Sequence, residues 1–276
     1  MADIQQPEVE ALLGRNPVSE ADILSWLADT WQYFLDSGLY FAGGPADDRT
    51  VYRLQLIERA QALAEEYASP GVSAEANRIS AHVMNASEQY QQAVAYYAKA
   101  IPQLEALHRT DEAIRTRLGY GAALMMSGQY PNALQTLQEA QSWFESHDDQ
   151  AGLARVLINT GNVYHRMDEH NQALQYQIQA AEIFESIGSN TDLAVLAHNI
   201  ANGFAFLDRF EEADDKYRQS YEIAAANDMD SLADQARYNR AYLSFLRGRY
   251  SEAISGFNQL RESFLASKMH APRCPL

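Results

Sequence analysis

Asparagine is a poor residue for the middle of a helix, because its side-chain amide competes with the backbone for hydrogen bonds. In this chain it nevertheless recurs at a fixed interval. Asn159, Asn199 and Asn239 stand 40 residues apart, and Asn162 and Asn202 make a second row three residues further on. An amide carries both donors and an acceptor, the chemistry needed to hydrogen-bond the backbone of an extended polypeptide. The same chemistry serves another end: amides in register can bridge neighbouring structural units and bind nothing outside the chain. Arg155, Arg166, His165, His198 and Tyr238 lie near the rows in register, and the guanidinium groups of Arg155 and Arg166 suit carboxylates on a ligand. The five asparagines with Arg155, Arg166, His198 and Tyr238 are the candidate binding residues.

Reactive chemistry of other kinds lacks its residues. There is no His-Glu-x-x-His, no Gly-x-Ser-x-Gly, and no Lys-Ser/Thr after Gly43-Gly44. His165 and His170 are five apart, whereas helical metal ligands want three or four. The acid pairs Asp47-Asp48, Asp148-Asp149 and Asp214-Asp215 read as helix-start charges at two inter-helix turns and as solvated surface on a helix's outer side. The single cysteine, Cys274, excludes an internal disulfide and any thiolate-rich metal motif. No catalytic group, metal or cofactor is expected.

The elements that must position these residues follow from internal repetition. Gln-Tyr-Gln-Gln-Ala ending at Ala93 returns in varied form at Ala133, Ala173, Ala213 and Ala253, always 40 residues on. Three residues before each alanine stands a ring: Tyr90, Tyr130, His170, Phe210 and Tyr250. Seven after it comes Ala100, Ala140, Ala180, Ser220 or Leu260, on the same helix face. Twelve before it only small residues occur, Ala81, Gly121, Gly161, Ala201 and Ala241, as two closely approaching helices require. Five before it Glu88, Gly128, Asp168, Asp208 and Gly248 suit a left-handed cap, with Glu88 the poorest fit. Each unit is helix, tight turn, helix, with first helices expected at 73–88, 112–127, 152–167, 192–207 and 232–247.

Small residue, ring, alanine and second small residue, in that order and spacing, resemble the tetratricopeptide repeat over about residues 73–266. The early Trp and closing Pro of the common form are missing, as a 40-residue subclass with longer helices would explain. Gly152 to Tyr164 and Tyr238 to Tyr250 are similar to the arrays that precede bacterial CHAT domains. The resemblance implies an all-α, right-handed superhelical solenoid of about six antiparallel helix pairs. It also implies that the first helices line a concave groove holding a protein or extended peptide. On those helices eight basic residues (Arg78, Arg115, Arg117, Arg155, Arg166, Arg237, Arg240, Arg247) outnumber five acidic ones. The expected ligand is therefore partly acidic, and a downstream domain of a longer natural protein is one such partner; the alternative is a peptide-sensing regulatory region of a longer bacterial CHAT-type protein.

Upstream, Ser19 can cap a helix to about Ser37, and a second helix is expected from Asp48 to Tyr67. Residues 1–72 are thus expected to be an irregular helix pair capping the array, interrupted by the loop 38–46. Residues 73–268 would hold five repeats and 269–276 a truncated next repeat or tail. An array cut in mid-repeat would expose Leu243, Phe257, Leu260 and Phe264, which a second copy could cover as a homodimer. Over the whole 276 residues, 37 acidic against 21 basic side chains give a net charge of -16, which argues against nucleic acid. With no basic-then-apolar leader and no apolar run of membrane length, a cytoplasmic setting away from membranes is expected.

Overall fold

The computed structural model describes residues 6–36 and 48–270. Among them lie thirteen helices and no strand: α1 (Gln6–Gly14), α2 (Glu20–Asp36), α3 (Asp48–Tyr67), α4 (Pro70–Ala86), α5 (Tyr90–Ala106), α6 (Thr110–Met126), α7 (Tyr130–Ser146), α8 (Gln150–Arg166), α9 (His170–Ile187), α10 (Asn190–Phe206), α11 (Phe210–Ala226), α12 (Asp230–Leu246) and α13 (Tyr250–His270). From α2 onward they form six antiparallel pairs. The expected 38–46 loop, Asp47 and everything from Ala271, Cys274 included, lie outside the described residues. No helix among the described residues is long and apolar enough to cross a membrane.

The turns set the lengths. Glu88, Gly128, Asp168, Asp208 and Gly248 all have positive φ, Glu88 at 60° among them. So do Ala68, His108, Asp148, Gly188 and Asp228, which places a left-handed residue every 20 positions. After most of these turns an amide reaches back over the helix end in a Schellman pattern. Gln89 N donates to Met84 O at 2.8 Å, and Arg209 N to Phe204 O at 2.9 Å. Three residues suffice for each connection, so the first helices begin two or three residues earlier than expected. Asp149 accepts from Gly152 N at 2.8 Å and so caps α8.

The chain divides into two compact units, Met1–His147 and Asp148–Leu276. In both, the repeated alanines and their small counterparts are buried, because adjacent helices leave room for little else. A Cβ on Gly121 would stand 2.8 Å from Leu137 side-chain carbons. Ser220, the polar member of its row, donates to Ala194 O at 2.8 Å and is thereby satisfied. The first unit adds α1, a helix absent from the expected elements. Trp26 Nε1 donates to Leu12 O at 2.8 Å, pinning α1 to α2, and Ser19 Oγ accepts from Asp22 N at 3.2 Å at the start of α2. In the second unit Leu157, Leu174, Phe184, Leu196, Ile200, Phe204 and Tyr217 form one core across α8–α11.

Candidate functional site

The fourth residue after each core alanine faces the first helix of its own repeat, fifteen positions back. Tyr97 OH and His82 Nδ1 are 2.9 Å apart, and Tyr217 OH donates to Asn202 Oδ1. In the repeat of Ala173 the position holds Gln177, which is only 8 % exposed. A glutamine fills less of the space than a phenol. A cleft of about 340 Å³ opens there between α8, α9 and α10, lined by Asn162, His165, His170, Gln177, Asn199, Asn202 and Phe206 with Ala173, Leu174 and Gly203. Among the described residues the side-chain amides of Asn162, Gln177 and Asn199 have no hydrogen-bond partner, so their donors and acceptors are available to a ligand.

One repeat further on the same rows behave differently. Asn239 Nδ2 lies 3.2 Å from His198 Nε2 and 3.4 Å from Asn202 Oδ1, so these amides bridge α10 and α12. Burial holds His198 below the usual histidine range, which keeps its ring neutral beside the Asn239 amide. Burial also pushes Tyr217 up to about 12, and the hydroxyl stays a donor to Asn202. Bridging, one of the two uses of an amide left open by the sequence, is therefore seen for Asn239 and Asn202, while Asn162 and Asn199 line the cleft without such a bond.

Other candidate residues lie elsewhere. Tyr238 packs on Phe257, centroids 5.3 Å apart, in a separate cleft of about 670 Å³ between α12 and α13 with Leu260 and Leu265. Asn159, Arg155 and Arg166 do not line the amide cleft. Six of the eight arginines counted on the first helices engage carboxylates of the chain itself. Arg78 pairs with Glu75, Arg115 with Asp111 at 3.1 Å and Arg117 with Glu105 at 2.7 Å. Arg237 reaches Asp234 at 3.4 Å, Arg240 reaches Asp214 at 2.7 Å, and Arg247 meets Glu211. Asp214 is thus the acid end of a contact between α11 and α12 as well as a surface charge.

Four polar or aromatic lining residues, Gln177, His165, His170 and Phe206, were not among the candidates. Gln177 was legible in principle, as the one polar residue in a row that otherwise reads Tyr97, Leu137, Tyr217 and Phe257. His170 holds a packing position, yet its Nδ1 is 3.1 Å from His165 Nδ1 and its ring is 4.2 Å from that of Phe206. One imidazole N–H donates to the other ring's nitrogen lone pair. Among the described residues no three metal-ligating side chains gather.

Residues 112–186 and 152–226 each match the model of the tetratricopeptide repeat family. The fold is similar to that of RapI in its apo form, at a TM-score of 0.71 and 14 % identity over 95 % of this chain and 70 % of that one. It is similar to BtubC from P. vanneervenii, at 0.65 and 14 % identity over 82 % and 94 % of the two chains. It is also similar to NprR in complex with its cognate peptide NprX, at 0.61 and 15 % identity over 95 % and 74 %. At these identities the likeness is one of fold. No curated protein matches the chain in sequence.

Proposed function

From a chain whose residues 112–226 are tetratricopeptide repeats, we propose a non-catalytic binding module that holds an extended segment of another protein or a peptide. The segment lies against the α8–α9–α10 cleft. The observation that carries this reading is the trio Asn162, Gln177 and Asn199, three amides on three helices with unused donors and acceptors around one cleft. Mid-helix asparagines cost helix propensity, and for Asn162 and Asn199 no intramolecular bond among the described residues offsets that cost. A fold of the same kind accommodates a peptide in NprR, which supports the reading by analogy.

The test is a peptide array read with wild type beside Asn162→Ala/Asn199→Ala and Gln177→Leu, all matched for helicity by circular dichroism. Each lost amide contact should weaken capture by roughly three- to tenfold. An unchanged peptide profile in a fully helical variant would assign the trio to structure alone.

A second reading rests on the α12–α13 cleft, whose Tyr238, Phe257, Leu260 and Leu265 form an apolar surface suited to self-association. Sedimentation over a wide concentration range decides it: a mass that stays monomeric throughout removes this reading.

A further inference from the structure

Two aromatic groups lie along one edge of the second unit. The first is His165, His170 and Phe206 at the cleft, with Phe206 64 % exposed. The second is Tyr242, Phe245 and Tyr250: Tyr242 and Phe245 stack at 6.0 Å, Phe245 and Tyr250 meet at 5.7 Å, and all three are exposed. In the repeat register His165 corresponds to Phe245, His170 to Tyr250, and Phe206 to the exposed Leu246. Both groups therefore occupy the junction where a first helix turns into a second. Apart from His170, whose side chain is 15 % exposed, these rings stand open to solvent, and grouped exposed rings of this kind are contact surface.

The charges around the second group are already matched. Arg237, Arg240, Arg247 and Arg249 face Asp234, Asp214, Glu211 and Glu252. An incoming charge would have to break one of these pairs, whereas a neutral ring would not. Spacing supplies the remaining constraint. Helices α10 and α12 pack on each other; packed helices lie about 10 Å apart and an extended chain rises about 3.3 Å per residue, so the step from α10 to α12 corresponds to about three ligand residues. The two groups are one to two repeats apart.

We propose that the second unit recognises an uncharged extended segment carrying two aromatic side chains roughly three to six residues apart. One ring sits on His170 and Phe206, and the other on Tyr242, Phe245 and Tyr250. Asn162, Gln177 and Asn199 hold the backbone beside the first ring. This rests on the binding role proposed for the amide cleft and adds the chemistry of what is bound.

The full chain is titrated, by fluorescence anisotropy, with labelled twelve-residue peptides of Gly, Ser and Asn that carry no phenylalanine, or two at spacings of one, four or nine. The four-spaced peptide should bind at least tenfold tighter than the others. Phe206→Ala and Phe245→Ala, checked for wild-type helicity, should each remove that advantage, and Phe245→Ala, which lies outside the amide cleft, should leave the phenylalanine-free peptide unaffected. Equal affinity at every spacing, with binding still weakened by Asn162→Ala/Asn199→Ala, overturns the aromatic inference and leaves the amide cleft standing. No binding of any peptide overturns both. A concentration-dependent mass that Phe245→Ala abolishes assigns the second group to a second copy of the chain and also overturns the inference.

Discussion

A phenol four residues after the core alanine uses up the polar group it faces, as Tyr97 does with His82 and Tyr217 with Asn202. Gln177 faces Asn162 from the same position without bonding it, and that single difference separates a bridged repeat from one with hydrogen-bond valence to spare. His82 carries a further consequence. It is enclosed between Trp31, 5.1 Å away, and Tyr97, with Arg78 beside it. Burial, and then the charge of Arg78, lower it from 6.5 to about 3. Below pH 6.5 the unfolded chain takes up a proton that the folded chain refuses until about pH 3. The stability conferred by the neutral ring is therefore complete above pH 6.5 and is lost as the pH falls towards 3, at up to about 1.4 kcal/mol per pH unit. Urea midpoints taken between pH 7 and pH 4 should fall more steeply for the wild type than for His82→Gln. Parallel slopes would show that the ring titrates freely in the folded state.

Helix and turn alternate so regularly that every connection from α3 to α13 contains a left-handed residue, yet only half of those turns were legible in the sequence. Glu88, Gly128, Asp168, Asp208 and Gly248 follow a recognisable amphipathic first helix and include two glycines. Ala68, His108, Asp148, Gly188 and Asp228 include one glycine and lie between repeats, away from the ring-and-alanine pattern that marks the other five. Helix α1 escaped for a related reason, since its place is fixed by the distant Trp26. A side chain in the left-handed region costs about 1 kcal/mol relative to glycine. Glu88→Gly should accordingly stabilise the chain by about 1 kcal/mol and Gly128→Ala destabilise it by a similar amount, both read as shifts in urea midpoint at constant m-value. A destabilised Glu88→Gly would mean that the Glu88 side chain contributes more than its backbone strain costs.

On the scale of the molecule, a strict 40-residue repeat made the helix pairs and their small-residue contacts legible, because packing repeats whenever sequence does. The site was less legible, because it lies where the repeat departs from itself. Two asparagine rows drew attention to α8, α10 and α12, but which amides are spent on bridging depends on Gln177 and Tyr217, residues of the second helices that the rows do not include. Repeat arrays also confine the reach of a perturbation, since each helix packs mainly on its sequence neighbours; in the second unit α8 packs on α9, α9 on α10, and so on to α13. Gly161 provides the test. A Cβ there would lie 3.0 Å from Ala173 O and 3.3 Å from Gln177 Cγ, forcing α9 away from α8 and displacing the glutamine that lines the cleft. Overpacking of this kind costs about 1–3 kcal/mol. In Gly161→Ala, hydrogen exchange should accelerate in α8, α9 and the facing part of α10 while α12 and α13 keep their protection, and peptide capture by the cleft should weaken with it. Uniform acceleration from α8 to α13 would instead show that the second unit opens as one cooperative block, so that the cleft cannot be loosened without loosening the aromatic edge as well.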